Sequence, residues 1–482
     1  MFAESIAQIA RGGRLFDVCL VGSGPAGITL ASELDARGLS VLLLEAGGAQ
    51  VDPVSQEMFE AEVVGPLRFD LAVTRLRCFG GSSNHWGGFC RPLDAIDFED
   101  KSPGIDSAWP IARSDLDPFL GRAETILELP PAQPDTAFGE QVRHTPMRYS
   151  PPVHFAVKYR PLLQRSSRTL VALDACVVGL QERGGHIHAL QVCGPDGVQH
   201  AVRARQVVLC AGGIENSRLL LWANACNGGR VVPEPYALGR YWFEHPHFTL
   251  GEAWLEDDSA FEFDRWSIAW AAPMQHVLRD QGMLNVGLRL TRQHRESARA
   301  LAVRLGCVAP ALGRAAMSQL GRRLTCGVLL RASWEQAPQP WNRVVLSADR
   351  DRLGVPRAEL HWRLGDLERT SARNAALMLA TECARRGVGR VRLDDWVLAR
   401  GAFPADDEIK GNHHMGGTRM SRNARRGVVD ANCRVHGCAN LFVAGSSVFP
   451  SGGASNPTLT IVQLALRLAD HLTRPSRAQA IA

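Results

Sequence analysis

Six residues near the start of the chain, Gly22-Ser23-Gly24-Pro25-Ala26-Gly27, have the types and spacing to hold a pyrophosphate. Gly22 permits a tight turn, Gly24 lets the backbone come close to the phosphates, and Gly27 lets the following helix pack on the preceding strand. Amides at the start of that helix face the phosphate charge, so Ser23, Pro25 and Ala26 are expected against the ligand too. Glu45, about twenty residues on, can accept from the ribose hydroxyls of a dinucleotide. These groups converge only if the chain around them folds as strand, helix, strand. Apolar Phe16, Val18, Leu20 and Val21 predict the first strand, a helix to about Arg37 follows, and 39–45 predicts the second strand. The motif serves NAD and FAD equally.

A second dense stretch is Gly80-Gly81-Ser82-Ser83-Asn84-His85-Trp86-Gly87-Gly88. Two glycine pairs leave backbone N–H groups uncovered, which suits contact with a planar ring or a phosphate. A plain surface loop would not need His and Trp between its glycines.

Composition bounds the rest. A chain of 482 residues, 45% hydrophobic and 21% charged, suits a globular protein of two intimate domains. A net charge of +5 is small for this length and argues against a nucleic-acid partner. No run of about 18 apolar residues exists, so no membrane span is expected, and residues 1–14 carry neither an apolar signal core nor twin arginines. Twelve cysteines are scattered, Cys19, Cys176 and Cys210 among them within apolar strands, with no Cys-x-x-Cys. Thiols in a reducing cytoplasm are the expectation, and no metal site.

The glycine opening, Glu45 and Gly80-Gly81-Ser82-Ser83-Asn84-His85-Trp86 together resemble the glucose-methanol-choline (GMC) oxidoreductases, FAD enzymes that oxidise alcohols. The resemblance selects FAD and adds contacts at Gly81, Ser82 and Asn84. His85 stands where some members bond the flavin covalently. It implies backbone contacts from Val177 to the adenine and from Ala211, in Ala211-Gly212-Gly213-Ile214-Glu215-Asn216-Ser217, to the dinucleotide.

Near the C-terminus, Asn412-His413-His414-Met415-Gly416-Gly417-Thr418 resembles the family's His-x-x-Gly-Thr motif, and Asn456-Pro457-Thr458, 42 residues after His414, its partner. Hydride leaves an alcohol carbon for flavin N5 only as the hydroxyl proton leaves, and neutral imidazole takes a proton near neutral pH. His414 is therefore the expected general base and Asn456 the group that fixes the reacting oxygen. His413 is read as structural, because adjacent residues in regular structure cannot both face one substrate. Pro457 at the first helical position would aim a helix N-terminus at the flavin N1/C2 carbonyl, with Thr458 beside it. Gly445 stands where relatives often carry an acid, so the ribityl contact there is expected to differ.

The expected fold is α/β in two domains: a Rossmann-like FAD domain and a discontinuous substrate domain on an antiparallel sheet. The FAD domain is assigned 1–90, 151–230 and 411–482, the connecting scaffold 91–150 and the substrate domain 231–410. Strands are expected at 169–180, 186–193 and 206–210, and at 248–255, 268–272, 282–290 and 344–347 in the substrate domain. Helices are expected at 114–127, capped by Ser114, at 294–323, solvated and arginine-rich, and at 367–386, closed by Gly387. His245 before a proline is read as structural. The implied activity is oxidation of a CH–OH group on a sugar, glycoside or cyclic polyol. The electron acceptor, oxygen, quinone or redox protein, is open, with a lean toward a dehydrogenase. A FAD-containing lyase of the same fold, of the hydroxynitrile lyase kind, is the alternative.

Overall fold

A computed structural model describes residues 1–101, 107–292, 327–399, 402–404 and 411–474. The first strand, Leu15–Val21, lies parallel between Val41–Leu44 and Gln199–Leu209. Thr169–Ala172 extends the sheet beyond Val41–Leu44, and Leu441–Val443 lies parallel to the end of Gln199–Leu209. Every residue of Val41–Leu44 is buried, as a strand covered on both faces requires. Helices Pro25–Ala36 and Thr458–Leu472 pack against each other, and helix Gly212–Cys226 follows the long strand.

The N-terminal half of Gln199–Leu209 belongs to an antiparallel meander with His186–Cys193 and Cys176–Arg183. That half alternates polar and buried residues, which is why only its apolar end was legible as a strand. The single strand expected at 169–180 is two, Thr169–Ala172 and Cys176–Arg183, separated by Asp174 at φ 51°.

The second large sheet is antiparallel throughout, in the order Gly389–Leu393, His247–Leu255, Val328–Trp334, Val286–Arg292, Ile268–Pro273, Val142–His144, Thr136–Ala137. Helix Asp366–Arg385 packs over it, burying Ala372, Ala375, Ala376, Leu379 and Cys383, and is closed by Gly387 at φ 65°. Phe248, Leu288, Leu330 and Trp334 sit in the core beneath.

Three expectations need correction. Residues 344–347 lie in Arg343–Arg350, which pairs not with the large antiparallel sheet but with Pro356–His361, itself parallel to Glu62–Val64. The strand expected at 282–290 begins only at Val286, because Gly282 at φ 58° ends the short helix Gln275–Asp280. The 114–127 helix is two 3-10 turns followed by Leu120–Ile126, and Ser114 lies inside the first turn, where Asp115 accepts the Ala112 N–H instead. The 294–323 helix and the tail past Arg474 lie outside the described residues.

Between the two large sheets, buried charges tie four segments together. Lys101 Nζ bonds Asp97 at 2.9 Å and also Glu335, Asn285 Nδ2 reaches Asp97 at 3.0 Å and Asp94 at 3.2 Å, and Arg143 Nη2 meets Asp94 at 2.6 Å. Ser451, on the approach to the C-terminal helix, donates to the Asp97 carbonyl. Removing one partner of such a set strands a charge away from water. Lys101→Met, which keeps the length of the stem and drops the ammonium, should lower unfolding free energy by about 3–5 kcal/mol. Denaturant titration checks this, and an unshifted midpoint would contradict it.

Candidate active site

One cavity of about 550 Å³ runs from the glycine turn to the start of helix Thr458–Leu472. The glycines at its first end act as the spacing requires. Gly22 has φ 107° and a Cβ there would lie 2.6 Å from the Cys210 carbonyl oxygen; one on Gly27 would lie 1.9 Å from the Gly22 oxygen. At Gly24 a Cβ would meet nothing within 4 Å, because that backbone borders the cavity. Helix Pro25–Ala36 starts there without a side-chain cap, leaving its positive end for an anion.

Glu45 borders the same end, yet its carboxylate already braces the turn. Oε2 accepts from the Ser23 N–H at 3.0 Å and hydroxyl at 2.6 Å, and Oε1 from the Gly47 N–H at 2.9 Å. Burial raises its pKa against the pull of these donors. Val177 and Ala211 line the cavity beside it, the Ala211 N–H being held by Asn216 Oδ1 at 2.8 Å. An ion cluster that the sequence did not reveal also lines this end: Arg75 to Glu215 at 2.7 Å, and Arg218 to Glu215 at 2.9 Å and to Asp351 at 2.5 Å. Glu215, two residues after the glycine pair Gly212-Gly213, was the one available signal.

In the middle, Gly81, Ser82, His85, Trp86, Gly87 and Gly88 line the cavity. Asn84 does not. It ends the 3-10 turn Gly81–Asn84, and its carboxamide turns inward to donate to the Phe79 carbonyl at 2.9 Å, so it braces the loop rather than the ligand. Burial lowers the His85 pKa, which keeps that imidazole neutral.

At the far end, Gly445, Asn456, Pro457 and Thr458 border the cavity. Gly445 has φ 108° with open space where a side chain would go. Pro457 sits one residue before the helix rather than at its first position, and no side chain caps that helix either.

Here the structure corrects the sequence reading of the histidines. Asn456 Nδ2 donates to His413 Nε2 at 3.1 Å, and His413 Nδ1 lies 2.9 Å from His245 Nδ1. His414 turns to the other side: its ring packs 5.7 Å from that of Trp242, and its Nε2 lies 3.9 Å from Glu244 Oε2. The segment is extended, with Met415 bridged to Phe243, and successive side chains of extended chain point to opposite faces. Both histidines line the cavity, but the one whose ring nitrogen meets Asn456 is His413. Glu244 Oε1 fixes the arrangement by accepting both the His413 N–H at 2.7 Å and the His245 N–H at 2.8 Å. His247, also missed, lines the cavity with Nε2 2.7 Å from Ser333 Oγ; His245-Pro246-His247 was its signal.

Burial, reinforced by His245, His247 and His414, holds His413 well below the usual histidine pKa. Burial takes His245 down to about 4. Both rings are neutral near pH 7, which leaves His413 able to accept a proton.

Residues 338–465 match the family model for the GMC oxidoreductase C-terminal domain. The fructose dehydrogenase large subunit of Gluconobacter japonicus is 25% identical over 94% of this chain and 97% of that one. The 2-methyl-1,2-propanediol dehydrogenase of Mycolicibacterium austroafricanum is 23% identical over 95% of each. Pyridoxine 4-oxidase from Mesorbium loti shares the fold, with a TM-score of 0.59 and 18% identity over 95% of this chain and 99% of that one.

The two glycines of the turn separate folding from ligand binding. Gly24→Ala should unfold within about 0.5 kcal/mol of the parent apoprotein yet bind the dinucleotide at least about tenfold more weakly, as its methyl enters the cavity. Gly27→Ala should fail to fold stably. Apoprotein unfolding and a cofactor titration read the two effects, and equal affinity in Gly24→Ala would refute the cradle.

Proposed function

We propose that this chain, whose residues 338–465 match the GMC oxidoreductase family model, binds FAD along the cavity and oxidises a CH–OH group of a sugar, glycoside or cyclic polyol to a carbonyl. FAD, when bound, supplies the acceptor for the hydride. The observation that carries the residue assignment is the 3.1 Å contact between His413 Nε2 and Asn456 Nδ2 at the cavity wall. His413 Nε2 takes the hydroxyl proton, and the oxygen's growing negative charge drives the hydride from its carbon. Asn456 donates to the same oxygen and fixes which hydrogen faces the cofactor. Helix Thr458–Leu472, uncapped behind Pro457, directs partial positive charge at the cofactor end of the cavity. Gly22 to Gly27 and the start of the first helix take the diphosphate, and Glu45, Val177 and Ala211 the adenosine.

The substrate class draws support from the relatives, one named for a ketose sugar and one for a vicinal diol. These two are named dehydrogenases, whereas two further relatives, 23% and 24% identical, are named oxidases, so the names divide over the acceptor. For His85, neutral and bordering the cavity, the finer proposal is a covalent bond to the flavin.

Three outcomes follow. His413→Ala should retain FAD and slow anaerobic bleaching of the flavin band by substrate by about 10²-fold or more, while His414→Ala loses less. In the parent, the His413 pKa lies below 6.5, so the base is neutral above that pH and kcat/KM falls only below it, as the ring protonates. Normal bleaching in His413→Ala, with the loss in His414→Ala instead, would return the role to His414, and no bleaching by any alcohol in the parent would favour the lyase. Acid precipitation tests the tether: the flavin should stay with the pellet, and free flavin in the supernatant would eliminate it.

A further inference from the structure

The nitrogen of His413 that faces away from the cavity is held by another imidazole and by no carboxylate. His245 is fully buried, and its Nδ1 lies 2.9 Å from His413 Nδ1, with the rings nearly perpendicular at 84°. Two ring nitrogens at that distance share one hydrogen. Asn456 presents an N–H to His413 Nε2, which must therefore hold a lone pair. In the neutral ring the hydrogen is then on Nδ1 and is donated to His245 Nδ1, which leaves the His245 hydrogen on Nε2.

We propose that His245 is a positioning residue: by accepting from His413 Nδ1–H it fixes the tautomer and plane of His413, so that the lone pair of Nε2 points at the substrate hydroxyl. This rests on His413 being the base. When the hydroxyl O–H bond breaks, a new N–H bond forms at His413 Nε2, and the hydride with its electron pair leaves the carbon for the bound FAD. The positive charge left on His413 is stabilised by the hydrogen bond that its Nδ1–H donates to neutral His245.

The surroundings suit an acceptor that stays neutral. The charged groups near His245 are Lys101, from the segment before the second domain, whose positive charge disfavours protonation, and Glu244 in its own segment, whose Oε1 takes backbone N–H groups. From the C-terminal segment, the backbone of Gly452 and Gly453 faces the ring. His413 is the remaining neighbour, and His247 acts on His413 from the adjoining strand, with ring centroids 6.1 Å apart. A protonated His245 could not accept from His413, so keeping it neutral keeps the relay in register.

The test uses the holoenzyme and two variants. His245→Leu removes the acceptor, while His245→Gln offers Oε1 in its place. With FAD occupancy and KM near the parent values, His245→Leu should slow anaerobic flavin reduction at least about tenfold and move the acid limb of its pH profile. His245→Gln should recover most of the rate. Independently of any variant, ¹⁵N spectra of the parent holoenzyme should show His413 Nε2 without a proton and Nδ1 with one. A parental rate and pH limb in His245→Leu, or an Nε2–H in the parent, would overturn the inference. Full flavin reduction in His413→Ala would instead remove the base assignment on which it rests, a different result from a different variant. Should His245→Leu not fold, the ¹⁵N assignment decides.

Discussion

One carboxylate oxygen, Glu244 Oε1, takes the backbone N–H groups of His245 and His413 at 2.8 and 2.7 Å. Those residues are far apart in sequence and on different segments, and this shared acceptor sets them side by side. The antiparallel bridge between Phe243 and Met415 continues the same contact by backbone pairing. Once these two stretches are in register, alternation along the extended chain turns the His413 ring to Asn456 and the His414 ring to Trp242. Glu244 is fully buried, so its hydrogen bonds work where water cannot compete.

The rest of the site is arranged around that registration by helix starts. Three helices, Pro25–Ala36, Gly212–Cys226 and Thr458–Leu472, begin at the cavity with no side-chain cap. Uncapped starts are ordinarily a cost. Here they leave positive ends facing the cavity. The buried cluster around Lys101, Asp97 and Glu335 anchors the approach to Asn456, since Ser451 donates to the Asp97 carbonyl and a Cβ on Gly453 would sit 2.2 Å from an Asp97 carboxylate oxygen.

What was legible in the sequence was whatever depended on local spacing. The βαβ opening, the glycine loop and the helix closed by Gly387 are set by residues a few positions apart, and they stand as expected. Pairings between distant segments left no such trace. Nothing in 343–350 says that its partners are 356–361 and 62–64, because a short apolar strand pairs with whatever the topology supplies. The choice between His413 and His414 likewise turns on a bridge to Phe243 that a motif cannot express. Arg75 and Asp351, at the glycine-turn end of the cavity, were invisible for the same reason, since an isolated charge gives no hint that it will be buried against another. Asn84 misled because a small polar residue in a glycine loop can serve either the ligand or the loop.

The parallel sheet takes strands from Leu15–Val21 to Leu441–Val443, and the far wall of the cavity needs the helix starting at Thr458. During synthesis the glycine turn emerges long before the helix at Thr458, so the cavity cannot close until that helix has left the ribosome. Ligand capture at this cavity would then come late in biogenesis, and a nascent chain stalled before that helix would leave apolar surface of the parallel sheet exposed to chaperones.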